Sequence, residues 1–490
     1  MNRLAAALAL ILSAAQADAG ALVTPAVNAE IHAKGKASVL LVLRDALQVD
    51  MAVARRQGDD KLSTAVTLLQ QHAERTQAPL RAWLDARGIH YRAFWVANFI
   101  SIDADADTLS ALAARDDLAA IELDAKLGLP PVAEEYPGPV RAITAIEPGV
   151  SQVNAPAVWA MGFRGQNVLV AGQDTGYQWD HPALKAKYAG WDGSSANHNY
   201  RWHDAIGPGG SGGSCGVSAQ APCDDNSHGT HTMGTIVGDD GGSNQIGVAP
   251  GARWIGCRNM DQGNGTPTTY SDCFQWLMAP TDLTGQNPNP AMAPHIINNS
   301  WGCPSSEGCT TPNILQTVVE NVRASGILVV VSAGNSGSGC STIAEPPAIY
   351  AASFTVGAVS GTSMASFSSR GPVTVDGSNR MKPDIVAPGV NVRSSTPGNS
   401  YLALNGTSMA GPHVAGVAAL LMSADPTLRR DPARIEALMR NTAVLDTVSS
   451  QLCGGVPTTT IPNPVFGYGR VDALSAVRNG LGMFGINGFE

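Results

Sequence analysis

The chain has 490 residues, of which 44% are hydrophobic and 14% charged, and its formal net charge is −9. This composition excludes the fibrous and intrinsically disordered classes, and the length suggests two or three folding units. The sequence has no long Lys/Arg run, so we expect no binding of nucleic acid and no electrostatic attraction to an anionic membrane surface.

The first 19 residues have the pattern of a secretory signal. Arg3 precedes an apolar stretch over 4–12, and small residues follow at 17–19. A membrane anchor would need about 20 apolar residues, roughly twice this run. We therefore expect cleavage before Gly20 and a secreted protein, extracellular or periplasmic, without a membrane anchor.

The sequence pattern of residues 20–136 predicts a small α+β unit. Apolar patterns predict a strand over 37–43, a helix over 62–87, two strands on either side of Asn98, a short helix over 107–116 and a last strand over 119–127. This order is a split βαβ unit, the ferredoxin-like arrangement. The proline-rich segment 128–149 then predicts an exposed connector, which is a natural place for a proteolytic cut.

Beyond the connector, continuous apolar runs alternate with helical patterns. Strands are predicted over 167–173, 295–300, 327–334 and 353–359, and helices over 312–325 and 411–424. Because continuous apolar strands are buried on both faces, this region predicts an α/β fold with a mostly parallel sheet and helices on both sides. The Gly-, Ser- and Asn-rich stretch 189–225 is long for a loop and suggests a functional insertion.

All eight cysteines lie in the C-terminal two thirds of the chain: Cys215, Cys223, Cys257, Cys273, Cys303, Cys309, Cys340 and Cys453. An even number in a secreted chain predicts disulfides, and the lack of a CxxC pair disfavours metal binding. The close spacings favour local pairs 215/223, 257/273 and 303/309, leaving 340 and 453. Eight cysteines permit about 105 pairings, so the map stays open.

Three short segments carry the chemistry: LVAGQDTG with Asp174, SHGTHTMG with His228 and NGTSMAGPH with Ser408. A serine becomes a nucleophile at neutral pH when a histidine takes its proton and a carboxylate orients that histidine. Each residue alone could be a turn aspartate, a core histidine or a helix N-cap. Together they predict acyl transfer through Ser408.

His228 and His231 also invite interpretation as half of a metal site. A metallohydrolase would need a glutamate between them or a third ligand at recognisable spacing, and the sequence has neither. We predict that His228 carries the proton and that His231, one helical turn on, is a buried structural neighbour.

The three segments, with further strings such as IGVAPGA, SFSSRGP, KPDIVAPG and GYGRVDALSAV, resemble the subtilisin-like serine peptidases, or subtilases, over nearly all of the chain after the connector. The resemblance implies Asp174 as the orienting acid, His228 as the general base and Ser408 as the nucleophile of a secreted serine endopeptidase. It also implies Asn335 as the oxyanion-hole donor, partnered by the Ser408 backbone N–H. The long loop and the strings WIGCRNMD and FQWLMAP are similar to the bacillopeptidase-F-like branch.

Two strings match the family segments that line the pocket for the side chain before the scissile bond: Ser300-Trp301-Gly302 and Ser332-Ala333-Gly334. Their small residues, without an acidic cluster in the matching strings, favour uncharged or apolar substrate side chains. A broad endopeptidase is the main expectation. A maturation protease with few targets and a non-catalytic binding protein on a subtilase scaffold are the alternatives.

The N-terminal unit resembles the inhibitor-type propeptide of many subtilases. The resemblance implies a propeptide at 20–136, after the signal at 1–19, that inhibits its own peptidase domain at 137–490 and is removed by a cut between about 130 and 150. We expect a monomer. An independent binding domain is the alternative interpretation of this unit.

The chain departs from the family pattern at three places. Gln173 replaces an apolar residue before Asp174, and Thr232-Met233 replace the commoner Val-Ala. Ala183 stands where calcium-binding relatives often carry an aspartate, so the usual strong calcium site cannot be transferred. No cofactor is expected for the chemistry. A structural calcium is possible without a located site, and its candidate ligands are the remaining acidic residues: Asp224, Asp225, Asp239 and Asp240.

Overall fold

The computed structural model describes residues 20–47, 49–124, 146–208 and 210–483. The predicted signal and most of the predicted connector lie outside these residues. The N-terminal unit consists of β1 (Leu22–Val23), α1 (Pro25–Lys34), β2 (Lys36–Leu43), α2 (Val49–Val53), α3 (Gly58–Asp85), β3 (Tyr91–Phe94), β4 (Phe99–Asp105), α4 (Ala106–Ala113) and β5 (Leu118–Leu123).

Its five strands form one sheet in the order β1-β5-β2-β4-β3. β2 runs antiparallel to both β4 and β5, so the predicted split βαβ order is present. No sequence pattern predicted β1, α1 or α2. In α1 the buried residue is Val27 alone, so this helix has no apolar stripe by which a pattern could identify it. In the described part of the chain, no helix is both long and apolar enough to cross a membrane.

The larger unit begins with two short helices and continues as alternating strands and helices. Its elements are α5 (Pro148–Gln152), α6 (Ala155–Ala160), β6 (Leu169–Asp174), β7 (Trp202–Asp204), α7 (His228–Val237), β8 (Arg253–Arg258), α8 (Pro267–Met278), β9 (Ile296–Asn299), α9 (Gln316–Ala324), β10 (Leu328–Ser332), β11 (Phe354–Ser360), β12 (Ser363–Met364), β13 (Ile385–Pro388), β14 (Val392–Thr396), β15 (Ser400–Leu404), α10 (Thr407–Ala424), α11 (Pro432–Asn441), β16 (Leu452–Cys453), β17 (Val456–Pro457) and α12 (Ala473–Gly480).

The main sheet has the order β12-β11-β10-β9-β6-β8-β7, with β13 beside β11. Its pairings are parallel except for β12, which runs antiparallel to β11. Neighbouring residues alternate between two cores: Val170 and Ile296 pack with residues of α7 and α10, whereas Ala171 and Ile297 pack with residues of α8 and α9. The predicted α/β fold, with a mostly parallel sheet covered on both faces, is confirmed.

The N-terminal unit packs on the α8 and α9 side of this sheet. The side-chain oxygen of Gln275 in α8 accepts hydrogen bonds from the backbone N–H groups of Trp95 (2.7 Å) and Val96 (3.2 Å). Asn321 in α9 donates its Nδ2 to the Val96 carbonyl at 2.6 Å. The turn between β3 and β4 is therefore held by two amide side chains of the larger unit.

Four disulfides are formed: Cys215–Cys223, Cys257–Cys273, Cys303–Cys309 and Cys340–Cys453. These are the pairs that the close spacings favoured, and the described residues contain no free cysteine. Three of the bridges close local loops, whereas the fourth joins the segment after β10 to β16.

Removing the long-range bridge is expected to destabilise the protein more than removing the shortest one. The Cys340–Cys453 bridge spans 113 residues and Cys303–Cys309 spans 6. If a bridge stabilises mainly by reducing the conformational entropy of the unfolded chain, replacing both cysteines by serine lowers the free energy of unfolding. The expected loss is about 5 kcal/mol for the long-range bridge and about 2 kcal/mol for the short one. Urea unfolding in a Ser408→Ala background, which removes the expected nucleophile, measures both. Equal losses or the reverse order would contradict this origin.

Candidate active site

The predicted catalytic residues come from three elements that meet at the carboxyl edge of the main sheet. Asp174 is the last residue of β6, His228 the first of α7 and Ser408 the second of α10. His228, Asn335 and Ser408 line one cleft of about 400 Å³. Asp174 lies behind His228 and is 1% exposed.

The Asp174 carboxylate fixes the His228 ring. Oδ1 of Asp174 lies 2.8 Å from Nδ1 of His228 and accepts the backbone N–H of Thr175 at 2.7 Å. Such a carboxylate favours the tautomer with the proton on Nδ1, which leaves Nε2 as the proton acceptor. The pair therefore has the geometry of an acid that orients a general base.

Two departures from the family pattern acquire partners in this region. The Thr232 hydroxyl lies 3.2 Å from Oδ2 of Asp174 and 3.0 Å from the Gly229 carbonyl oxygen, so its one proton is shared between the orienting acid and the backbone. The buried Gln173 donates its Nε2 to Oδ1 of Asn299 at 2.6 Å and accepts from Nδ2 of Asn259 at 3.3 Å. The polar side chain at 173 therefore has hydrogen-bond partners at the ends of both neighbouring strands, β9 and β8.

Asp224 joins the end of β6 to the start of α7. Its Oδ1 accepts the Thr175 hydroxyl at 2.8 Å, and its Oδ2 accepts the Thr230 backbone N–H at 2.9 Å. The two segments approach so closely that a Cβ on Gly229 would lie 2.0 Å from the Gly176 carbonyl oxygen. The sequence suggested Asp224 only as a calcium ligand; its position shortly before His228 was the available signal for this positioning role.

Reciprocal hydrogen bonds tie Ser408 to one wall of the cleft. The Ser408 hydroxyl donates to the Ser300 carbonyl at 3.0 Å, and the Ser300 hydroxyl donates to the Ser408 carbonyl at 2.9 Å. The first turn of α10 is therefore held against the strand end that follows β9.

Asn335 and the Ser408 backbone N–H face a common space. Oδ1 of Asn335 accepts both the backbone N–H and the hydroxyl of Thr407 at 2.9 Å, which turns Nδ2 the other way. A Cβ on Gly406 would lie 3.5 Å from the Ser408 nitrogen and 3.6 Å from Nδ2 of Asn335. Two donors converging on one point have the geometry of an oxyanion hole, and the glycine leaves that point open.

The structure brings five of the six predicted wall residues to the cleft: Ser300, Trp301, Gly302, Ser332 and Gly334. The Ala333 side chain packs instead in the core beneath them. The Trp301 ring is largely buried and stacks on Tyr270, with ring centroids 3.9 Å apart. Small groups and backbone therefore make up most of these two walls.

Two glutamates that the sequence analysis missed also line this cleft, Glu307 and Glu345. Glu307 is 4% exposed and accepts the Tyr270 hydroxyl at 2.6 Å. Burial raises the pKa of Glu307 to about 7. Neither residue lies in a string that carries the family resemblance, so no local pattern identified them.

His231 is buried away from the cleft, as predicted. Its Nε2 lies 3.0 Å from the carbonyl oxygens of Val392 and Leu402, which places the ring between α7 and the β14–β15 hairpin. Burial, with a further contribution from His228, lowers the pKa of His231 to about 3.

The acidic residues considered above as calcium ligands accept hydrogen bonds from backbone N–H groups. Asp239 and Asp240 accept the N–H groups of Gly241 and Gly242, and Asp225 accepts that of Gln262. In the described ranges, no group of three or more His, Cys, Asp or Glu side chains is arranged to hold a metal ion. A structural calcium stays a prediction without a site.

Comparison with known proteins places the chain in a family. The model of the subtilase family, Peptidase S8, matches residues 165–469. Bacillopeptidase F of Bacillus subtilis (strain 168) is 40% identical over 356 residues, which cover 70% of this chain and 23% of that protein. Subtilisin E of the same strain is 35% identical over 281 residues, covering 57% of this chain and 61% of its own. M-protease of Shouchella clausii (strain KSM-K16) is 32% identical over 366 residues, covering 74% and 77%.

A parallel α/β sheet that gathers an aspartate, a histidine and a serine at its carboxyl edge is the scaffold of a subtilisin-like serine peptidase. The chain belongs to the subtilase family. The match to bacillopeptidase F supports the branch that the sequence indicated. The chain spans less than a quarter of bacillopeptidase F and about three fifths of subtilisin E.

Asn335→Ala is expected to lower kcat roughly 10²- to 10³-fold, the loss known for one oxyanion-hole donor in a subtilisin, with little change in KM. The reason is that Nδ2 serves the charged transition state more than the bound substrate. Steady-state hydrolysis of a peptide substrate measures both constants. Asn313→Ala, at an exposed asparagine outside the cleft, is the matched control. A loss confined to KM would contradict the assignment.

His231 is expected to make the protein less stable in acid. Its folded pKa of about 3 lies below the usual 6.5, so the unfolded chain takes up a proton first. The stabilising contribution is complete above pH 6.5 and is lost progressively towards pH 3, about 3 kcal/mol of it by pH 4.5. Urea unfolding of Ser408→Ala protein at pH 7.5 and 4.5 should show this loss, and the added His231→Gln change should reduce it. The same loss with and without His231 would refute the prediction.

Proposed function

We propose that the protein is a secreted serine endopeptidase that hydrolyses peptide bonds through an acyl-enzyme on Ser408. One observation carries the proposal: the Asp174–His228 pair and Ser408 meet at one cleft. The two oxyanion donors, Nδ2 of Asn335 and the Ser408 N–H, lie beside them next to Gly406. Membership of the subtilase family supports it.

Each step of the proposed hydrolysis is assigned to a named residue. His228 takes the proton of the Ser408 hydroxyl as Oγ attacks the substrate carbonyl, and Asp174 stabilises the imidazolium that forms. The new oxyanion receives hydrogen bonds from Nδ2 of Asn335 and the Ser408 N–H. His228 then protonates the leaving amine. In the second half, the same ring deprotonates a water that attacks the acyl-enzyme, and the proton returns to Oγ of Ser408 as the carboxylic acid product leaves. No cofactor enters these steps.

The walls of the cleft suit an extended substrate. Backbone at 300–302 and 332–334 can pair with a peptide by strand addition, which gives affinity without strong sequence preference. The small residues of these walls support broad use of uncharged or apolar side chains before the scissile bond. A narrow maturation protease would instead show a few sharply preferred sites when cleavage is profiled on mixed peptides.

The N-terminal unit, residues 20–136, serves in this proposal as an inhibitory propeptide of the peptidase domain at 137–490. Arg92 forms a 2.6 Å ion pair with Asp272 of α8, and Oδ1 of Asp124 accepts the Thr268 N–H at the start of that helix. With the signal predicted at 1–19, these contacts support a secreted precursor whose N-terminal unit stays bound to its peptidase domain. We further propose that the protein is a monomer.

A non-catalytic binding protein on the same scaffold is the alternative. Intact Asp174, His228, Asn335 and Ser408 disfavour it, because a protein that has lost catalysis need not keep all four. Failure of the processed protein to react with a fluorophosphonate probe would favour it.

Ser408→Ala is expected to abolish peptide hydrolysis, probe labelling and processing together, because all three depend on the Ser408 oxygen. The variant should keep an N-terminus near Gly20, whereas the unmodified protein should begin between about residues 130 and 150. Mass spectrometry of the labelled protein reports the termini and the labelled serine in one experiment. Active protein that still begins near Gly20, or normal hydrolysis by the variant, would contradict the proposal.

A further inference from the structure

The carboxyl group of Glu345 lies against the wall of the cleft that Gly302 forms. A Cβ on Gly302 would lie 2.6 Å from Oε2 of Glu345, so the absence of a side chain at 302 leaves the carboxyl group in contact with the pocket. Glu307 lines the same cleft from the loop that follows Gly302. The wall strings alone suggested no acidic group here, whereas the folded pocket has two.

These two carboxyl groups have no basic partner. Among the described residues, neither Glu307 nor Glu345 has a Lys, Arg or His nitrogen within ion-pair distance. Burial is the main cause of the raised pKa of Glu307, and the nearby charge of Glu345 raises it further. Uncompensated negative charge in a partly desolvated pocket favours a ligand that brings a positive charge.

The carboxylate oxygens of Glu307 and Glu345 suit the hydrogen-bonding groups of a basic side chain. An Arg side chain presents five N–H donors and a Lys side chain three, and neither accepts a hydrogen bond. Ionised carboxylates only accept hydrogen bonds, so they match such a donor set.

The two acidic residues are held in place before any substrate binds. Glu307 lies in the loop that the Cys303–Cys309 bridge closes. The Cys303 N–H donates at 2.7 Å to the carbonyl of Pro346, the residue after Glu345. The two loops are therefore joined to each other, and preorganised groups lose little conformational entropy when a ligand binds.

We propose that Glu345 and Glu307 make this pocket select a substrate with Arg or Lys immediately before the scissile bond. The inference rests on the proposed peptidase function, and it replaces the uncharged or apolar preference, which rests on the small residues of the two walls alone, with a basic one. Glu345, which is accessible within the cleft, meets the cationic head of the side chain directly. Glu307 contributes its charge from the buried position beside Tyr270.

The preference is expected to depend on pH. Tyr270 and Glu345 are the titratable groups that face Glu307, and the tyrosine stays a neutral donor because burial raises its pKa well above 10. Below pH 7 Glu307 is mainly protonated, and desolvation also raises the pKa of Glu345. Uncharged side chains should therefore compete best in acid, and basic ones should gain as pH rises through about 7.

The test uses the processed protein and two peptides, with Arg or Phe before the scissile bond and otherwise identical, supplied as a mixture. Competition makes the ratio of their kcat/KM values independent of the His228 protonation that both require. The Arg/Phe ratio is expected to exceed about 10 at pH 8.5 and to fall about tenfold by pH 5.5, as the loss of one charge interaction predicts. Glu345→Gln and Glu307→Gln should each lower the ratio about tenfold at pH 8.5.

Glu320→Gln changes an exposed glutamate of α9 outside the cleft and should leave the ratio unchanged. Fluorophosphonate labelling of each variant shows that its site is folded. A preference for Phe at every pH, or a ratio insensitive to Glu345→Gln in labelled protein, would overturn the inference alone. Absence of both labelling and hydrolysis in the unmodified protein would overturn the peptidase function and the inference with it.

Discussion

A carboxylate buried at the end of a strand is stable only if hydrogen-bond donors replace the water that it loses, because an unpaired buried charge costs several kcal/mol. Asp174 meets this demand with His228, Thr175 and Thr232. These donors belong to the turn after β6 and to the first two turns of α7. The requirement to surround one carboxylate therefore sets where α7 begins and how closely it approaches the sheet.

The parallel arrangement of the sheet brings the other parts of the site to the same edge. β6, β9 and β10 end side by side, so Asp174, the wall that starts at Ser300 and the segment that contains Asn335 need only short connections to meet. The loops that add acidic groups to the cleft are longer, and disulfides restrain both of them. Rigid strand ends thus supply the chemistry, and cross-linked loops shape the pocket.

The sequence predicted the fold class and the residues that meet in the cleft because each lies within an unbroken local pattern. Boundaries were less predictable: the helix predicted over 312–325 begins at Gln316, because Pro312 and Asn313 favour a turn and residues 312–315 form one. Glu307 and Glu345 could not be found in this way. Their proximity depends on a backbone hydrogen bond between two loops that are distant in sequence.

Thr407 has a mechanical consequence for the oxyanion hole. Its hydroxyl accepts the Gly334 N–H and donates to Oδ1 of Asn335, while its backbone belongs to the helix that carries Ser408. One donor of the hole is therefore fastened to the helix that provides the other. We therefore expect any displacement of α10 to carry both donors together, which would preserve the spacing between them.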